Sequence, residues 1–247
     1  MESKIISISR IFKRLQNGYG RRSLVRHLRD AFRPNHSTFI VEKAESVREF
    51  WELAHKDKSH LWLSGTPPSE VFERLKISEC LKKRHLNILN VGVGEGYCTS
   101  ALAKLGHYVD VLDISLNALA NVENFTENQF VSSSDLSSGK YDLILHHLVA
   151  QHMSHQDLST QLRHLVGSLN SEGLIALQFV SSSKNDQFIT EDDDLSAQMH
   201  GGVFRSTQFI TKIVESCGGI VNNVHTMESW HNSDAVFQTI HVKRQSI

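Results

Sequence analysis

The sequence predicts an α/β fold in which a mostly parallel sheet carries helices on both faces. The first observation is residues 86–115, where an apolar run ends in a glycine-rich turn, a helical segment follows, and a second apolar run ends in Asp113. The second observation is that apolar runs and amphipathic segments continue to alternate up to residue 245. Strands that alternate with helices are typical of a parallel sheet covered on both faces.

Residues 86–115 have the order strand, glycine turn, helix, strand and acid of a nucleotide-binding βαβ unit. The glycines of the turn let the backbone approach a ligand closely because they carry no Cβ. Asp113 follows the first glycine by about 20 residues, where a carboxylate can accept hydrogen bonds from ribose hydroxyls. Position 97 is tyrosine rather than the third glycine of the G-x-G-x-x-G dinucleotide fingerprint, so the spacing disfavours NAD.

The remaining elements are predicted from hydrophobic periodicity and from capping residues. Amphipathic patterns predict helices over 44–55, 69–75, 116–124, 156–169 and 207–217, with Ser69, Ser115 and Ser206 as N-caps. Apolar runs predict strands over 129–131, 141–145 and 174–180 and a final antiparallel pair over 220–224 and 235–242. Asn170–Gly173 is predicted to be the turn before the strand at 174.

An ordered series of motifs resembles the class I S-adenosylmethionine-dependent methyltransferases. The series is NVGVGEG at 90–96, VLDIS at 111–115, SSSDL at 132–136, YDLILHHLVAQHM at 141–153 and LNSEGLIALQFV at 169–180. The resemblance implies the seven-stranded, mostly parallel sheet of that fold, with helices on both faces and an N-terminal helical cap, and S-adenosylmethionine as the cofactor. It implies cofactor contacts at Asn90, Gly92, Gly94, Gly96, Asp113, Ile114, Asp135, Leu136 and His147.

Asn90 departs from the pattern of many relatives, which carry an acid at the position two residues before the first glycine. An amide oxygen can still accept a hydrogen bond from the cofactor's ammonium group, but it brings no charge. This residue is the feature that favours a binding or scaffolding subunit without activity, whereas the intact glycines and Asp113 favour an enzyme.

Histidines supply the candidates for acid–base chemistry, because imidazole titrates near neutral pH and can accept a proton from a hydroxyl. His152 is the first candidate for a catalytic base, and His200 is the second. The segment MHGGVFRS at 199–206 resembles a substrate-side loop of methyltransferases from bacterial glycan and natural-product pathways. We therefore expect a substrate contact at Arg205. We expect another at His146, in the histidine-containing segment 146–153, and we expect Trp62 to stack on a ring-shaped substrate.

Composition bounds the class of protein. The chain has 247 residues and 40% hydrophobic content, which suits a soluble globular protein. Its three cysteines form no C-x-x-C pair, so we expect a reducing compartment and a cytoplasmic protein. No apolar run reaches the length of a membrane span, and the start of the chain does not read as a signal peptide. The acidic run 191–194 could hold magnesium, but we predict no metal site.

Charge is unevenly distributed along the chain. Residues 1–35 contain nine lysines and arginines and two acidic residues, which gives them a net charge of +7. The remainder of the chain has a net charge of −8. The apolar spacing there predicts two short basic amphipathic helices. They could cap the core, lie peripherally on an anionic membrane at its inner face, or contact nucleic acid, which ranks last. We predict a cap over 1–80 and a cofactor-binding domain over 81–247.

The leading functional hypothesis is O-methylation of a sugar hydroxyl on a bacterial surface glycan or its precursor. A small metabolite as acceptor, an RNA acceptor and an inactive binding subunit remain as alternatives. The RNA alternative lacks the Asn-Pro-Pro-aromatic motif that is common in relatives that methylate base nitrogens. The sequence leaves the oligomeric state open.

Overall fold

A computed structural model describes residues 44–56, 66–83, 85–182, 189–190, 198–199, 202–227 and 235–245. Within these residues, one sheet contains the strands β1 (Asn87–Val91), β2 (Tyr108–Leu112), β3 (Gln129–Phe130), β4 (Tyr141–His146), β5 (Leu169–Ser182), β6 (Gly219–Thr226) and β7 (Ala235–Arg244). Their order across the sheet is β3-β2-β1-β4-β5-β7-β6. Strands β1 to β5 pair in parallel, and β7 pairs antiparallel with both β5 and β6. The predicted fold class and the antiparallel final pair are confirmed.

The described helices are α1 (Val47–Lys56), α2 (Pro68–Arg74), α3 (Tyr97–Lys104), α4 (Leu116–Ala120), α5 (His155–Ser168) and α6 (Thr207–Ser216). They cover both faces of the sheet. Leu162 of α5 and Ile210 of α6 pack on one face with Leu89, while Leu102 of α3 packs on the other face with Ile88. Neighbouring residues of β1 point to opposite faces because side chains alternate along a strand.

Serine caps begin two of the helices as predicted. The Ser115 hydroxyl accepts a hydrogen bond from the Ala118 amide at 3.2 Å, and the Ser206 hydroxyl accepts one from the Phe209 amide at 3.1 Å. Ser69 is not a cap, because α2 begins one residue earlier at Pro68. Proline suits the first position of a helix, since its fixed φ is helical and no amide there is needed for a hydrogen bond.

Two predicted boundaries are wrong. Asn170–Gly173 is not a turn before the strand, because β5 already begins at Leu169. A Cβ on Gly173 would lie 2.6 Å from the Tyr141 carbonyl oxygen, so glycine permits the close approach of the two strands here. Helix α4 ends at Ala120 rather than near 124, and a short 3-10 turn over Glu123–Phe125 follows.

The sheet brings three loop segments to one edge. Val91 at the end of β1 is in register with Leu112 of β2 and with His146 of β4. The residues that follow these strands therefore meet at the carboxyl edge, where ligands bind in open parallel sheets. Among the described residues, no helix is both long enough and apolar enough to cross a membrane.

Candidate active site

A cavity of about 470 Å³ opens at the carboxyl edge of the sheet. Seven of the predicted site residues lie in its wall, namely Asn90, Gly92, Gly94, Asp113, Ile114, His147 and His152. The wall also contains residues of α1 and α5, which the motifs did not indicate. No lysine or arginine stands among the described residues of the wall.

The glycine turn after β1 forms the floor of the cavity. Gly92 has a φ of +74° and donates its amide hydrogen to the Leu112 carbonyl oxygen at 2.9 Å. A Cβ at this position would lie 2.2 Å from Cγ2 of Val149, so the turn after β4 packs directly on the glycine. Gly94 has a φ of +57° and faces open space. Both conformations favour glycine, and the open side of Gly94 leaves room for a ligand.

Gly96 has a different role from the one predicted. It lies outside the cavity wall at the N-cap of α3, where it has a φ of +80° and a Cβ would lie 2.4 Å from Cγ1 of Val122. Gly96 therefore permits the packing of α3 and does not contact the cavity.

Asp113 is held rigidly at the end of β2. Its Oδ2 accepts a hydrogen bond from the Val93 amide at 2.8 Å, and its Oδ1 accepts one from the Ser115 amide at 2.9 Å. Burial raises the pKa of the Asp113 carboxyl, and the Ser115 amide, the charge of His55 and the amides of the glycine turn act in the opposite direction. The carboxylate is thus oriented by the turn, and its remaining lone pairs can accept hydrogen bonds from sugar hydroxyls.

Asn90 is buried at the end of β1. Its Nδ2 donates a hydrogen bond to Thr99 Oγ1 at 2.9 Å. This contact fixes the orientation of the amide, so that Oδ1 remains as the acceptor group in the cavity wall.

His152 lies in the cavity wall. Its Nδ1 is 2.8 Å from the Gln198 carbonyl oxygen, and its ring packs edge-on against Trp51 with centroids 4.7 Å apart. Because a carbonyl oxygen only accepts, Nδ1 carries the proton, and in the neutral ring Nε2 is the basic nitrogen. His152 therefore has the tautomer that a base at Nε2 requires.

The turn between β4 and His152 has a strained backbone. Leu148 has a φ of +57°, which is unfavourable for a branched side chain. Burial lowers the pKa of the neighbouring His147 to about 3, with the charge of Arg74 acting in the same direction. His147 is therefore a neutral hydrogen-bonding group in the wall rather than a proton acceptor at physiological pH.

Helix α1 closes one side of the cavity. Val47, Trp51 and His55 recur every four residues and face the cavity together. The sequence pattern predicts this helix, but Trp62 rather than any residue of the helix is the predicted substrate contact. The spacing of Val47, Trp51 and His55 was a usable signal, because residues four apart lie on one helix face.

Two predicted substrate contacts are wrong. His146 is fully buried outside the wall, where its Nε2 lies 2.8 Å from Gln161 Oε1 and burial lowers its pKa to about 4. Arg205 is also fully buried, and it donates hydrogen bonds to the carbonyl oxygens of Ala150 and Met153 at 2.7 and 2.6 Å. Arg205 thus holds the turn before α5 in place and does not reach a ligand.

The predicted adenine contact is displaced along the chain. Asp135 is exposed outside the cavity wall, and Leu136 packs against the hydrophobic core. Val131, Ser132 and Ser133 lie in the wall instead. The reason is that β3 ends at Phe130, so that the residues just after the strand reach the carboxyl edge, as in β1 and β2.

Several predicted features fall outside the described residues. They are Trp62, His200, the acidic run 191–194 and the basic helices over residues 1–35. Within the described part of the chain, no group of three or more histidines, cysteines or acids could hold a metal ion.

Comparison with known proteins identifies the βαβ core. Residues 89–177 match the family model of a methyltransferase domain. This part of the chain is therefore similar to a methyltransferase domain. S-adenosylmethionine is its cofactor, and the protein is an enzyme. No curated protein sequence matches the chain.

Solved structures share the fold of the methyltransferase domain. A 1,6-didemethyltoxoflavin-N1-methyltransferase from Burkholderia thailandensis has 12% identity and a TM-score of 0.61, covering 87% of this chain and 91% of its own. A TehB-like methyltransferase from Corynebacterium glutamicum has 18% identity and a TM-score of 0.53, and the match covers 86% of this chain and 100% of the other. A magnesium protoporphyrin IX methyltransferase from Synechocystis has 16% identity and a TM-score of 0.51, with coverages of 72% and 83%.

The residues present fit the cofactor. Asp113 presents an oriented carboxylate for the ribose, and Gly94 leaves open space beside it. Asn90 has an amide oxygen that could accept a hydrogen bond from the ammonium group, and Ser132 and Ser133 place hydroxyl groups in the cavity wall after β3. When bound, S-adenosylmethionine supplies an electrophilic methyl group on a sulfonium.

Proposed function

We propose that the protein is an O-methyltransferase whose acceptor is a small neutral molecule with a hydroxyl group, a sugar hydroxyl being the first candidate. The observation that carries this proposal is the geometry of His152. Its Nδ1–H donates to the Gln198 carbonyl oxygen, which makes Nε2 the nitrogen that can take a proton from an acceptor hydroxyl. A base is needed for a poorly acidic hydroxyl, such as that of a sugar, because the proton must leave as the oxygen attacks.

The cavity wall supports a neutral acceptor. It contains Glu95, Asp113 and Asp157, and no lysine or arginine among its described residues. A phosphorylated or carboxylated acceptor would normally be bound by cationic side chains, so this wall disfavours an anion. The same argument disfavours RNA, whose phosphates require a basic surface.

Trp51 gives the acceptor side an aromatic surface beside His152. Aromatic faces offer rigid, amphipathic contacts to ring-shaped ligands, including the apolar face of a sugar. Two of the structural neighbours act on small molecules, a toxoflavin precursor and magnesium protoporphyrin IX, and this agrees with the coarser proposal of a small acceptor.

Binding of S-adenosylhomocysteine to the wild type and to Asp113→Ala tests the cofactor site. We expect the wild type to bind with micromolar affinity and the variant to lose at least tenfold, because two ribose hydrogen bonds to a charged group are removed. Asp135→Ala is the matched control, since that carboxylate lies outside the cavity wall, and it should bind like the wild type. Absence of binding to the wild type would favour the inactive binding subunit.

Methyl transfer to a panel of methyl glycosides, uncharged phenols and an oligoribonucleotide tests the acceptor. We expect transfer to a neutral hydroxyl compound, reduced about 10²- to 10⁴-fold in His152→Gln because a general base contributes that factor. Cofactor affinity should be unchanged in this variant. Transfer to the oligoribonucleotide alone would contradict the proposal.

A glycan precursor linked to lipid would place the reaction at the inner face of the membrane. The net charge of +7 over residues 1–35 supports this part of the proposal, because basic segments bind anionic lipid surfaces. Sedimentation with vesicles that contain anionic lipid, compared with neutral vesicles, tests it. Equal recovery in the two pellets would favour a soluble small metabolite as acceptor.

A further inference from the structure

The Glu52 side chain joins helix α1 to residues 115–117, which follow β2. Glu52 Oε1 accepts a hydrogen bond from the Leu116 amide at 2.8 Å. Glu52 Oε2 accepts bonds from the Ser115 hydroxyl at 3.0 Å and from the amide and side chain of Asn117 at 3.2 and 2.9 Å. A carboxylate with this many donors is held in a single position.

The same segment orients Asp113, the carboxylate expected to bind the ribose. The amide of Ser115 donates to Asp113, while its hydroxyl donates to Glu52. Ser115 therefore donates one hydrogen bond to Glu52 and another to Asp113. The position of α1 and the position of the ribose carboxylate are fixed by the same residue.

His55 of α1 lies near Asp113 and the glycine turn. It is only 6% exposed and stands in the cavity wall. Its buried Nδ1 has no hydrogen-bond partner among the described residues and lies 3.8 Å from Glu95 Oε1, which is beyond hydrogen-bond distance. A buried polar nitrogen without a partner is unfavourable, so a ligand atom at this position would be stabilised.

We propose that α1 is part of the cofactor site, with His55 contacting a hydroxyl of the nucleoside and Glu52 positioning the helix. This inference rests on the proposed function. A sugar hydroxyl suits the site because it can accept a hydrogen bond from His55 and donate one to Asp113 or Glu95. His55 is the binding residue, and Glu52 is a positioning residue that acts through it.

Calorimetry with S-adenosylhomocysteine on His55→Ala, Glu52→Gln and the double variant tests the inference. Each single variant should bind about tenfold more weakly, the effect of one hydrogen bond at the strong end of the usual range. The affinity of the double variant should be no lower than that of the single variant with the lower affinity, because Glu52 acts through His55. Glu49→Gln removes a charge from the exposed side of the same helix and should bind like the wild type.

A second readout separates positioning from general stability. Hydrogen exchange of α1 should slow when S-adenosylhomocysteine binds to the wild type, and this protection should be smaller in Glu52→Gln. Asn117→Ala removes one donor to Glu52 and should show a weaker form of the same effect, even if Glu52→Gln fails to fold.

The outcomes distinguish the inference from the proposed function. If the wild type binds and the variants bind equally well, α1 is not part of the cofactor site, while the proposed function stands. Additive losses in the double variant would overturn the positioning role of Glu52. A wild type that does not bind would refute the proposed function itself.

Discussion

Gly92→Ala is expected to destabilise the protein through two separable effects. An alanine at a φ of +74° is strained by about 1–2 kcal/mol, because the left-handed region is unfavourable for L-residues with a Cβ. Its Cβ would lie 2.2 Å from Cγ2 of Val149, and relief of such overpacking in a core typically costs about 1–3 kcal/mol. The free energy of unfolding should therefore fall by about 3 kcal/mol.

Two glycines provide matched controls for the backbone effect alone. Gly94 and Gly139 have φ values of +57° and +67°, and a Cβ at either position would meet no atom within 4 Å. Both alanine variants should lose about 1–2 kcal/mol. Gly94→Ala should also weaken cofactor binding, because its Cβ would enter the cavity, whereas Gly139→Ala should bind normally.

Denaturant unfolding followed by circular dichroism measures these differences. In a Val149→Ala background the clash is removed, so Gly92→Ala should lose only the backbone contribution there. Equal destabilisation by the three glycine variants, or the same loss from Gly92→Ala with and without Val149, would show that the contact between the two turns is not what requires glycine.

Two further predictions concern buried polar groups. Burial lowers the pKa of His146 from its ordinary 6.5 to about 4. Between these two pH values the unfolded chain binds more protons than the folded chain. The free energy of unfolding should therefore fall as the pH drops through this window, by up to about 1.4 kcal/mol per pH unit. The free energy of unfolding, measured at pH 7, 6 and 5, should decline less steeply in His146→Gln than in the wild type. An unchanged slope in the variant would show that His146 does not cause the decline. Arg205→Met should lose about 3 kcal/mol, because the carbonyl oxygens of Ala150 and Met153 would remain buried without these donors. The exposed Arg163→Met is its control, and equal melting temperatures for the two variants would contradict the structural role.

Local sequence patterns were sufficient for the residues at the ends of strands. The positions of Gly92 and Asp113 in the cavity wall could be predicted because the glycine turn and the terminal acid belong to one βαβ unit, whereas the position of His152 was predicted from the motif resemblance over 141–153. The fold followed from the same patterns, since strand–helix alternation leaves few topologies for a parallel sheet.

Contacts between distant segments were not predictable in this way. Trp51 and His55 line the cavity from a helix that Glu52 joins to residues 63 to 65 positions later in the chain. Arg205 was expected to bind a substrate because its segment 199–206 resembles a substrate-side loop, but its donors are used by the carbonyl oxygens of the turn before α5. In both cases contacts between distant segments decide which side chains line the cavity.

The contact between Gly92 and Val149 has a consequence for how acceptor specificity can change. Residues 147–149 line the cavity, Val149 packs directly on Gly92 of the glycine turn, and Leu148 has a strained backbone. Larger side chains there would disturb cofactor binding together with acceptor choice. Val47 and Trp51 also line the cavity, on a helix that Glu52 anchors to the segment after β2. Divergence toward new acceptors, in nature or in a directed library, is therefore expected to proceed through Val47 and Trp51.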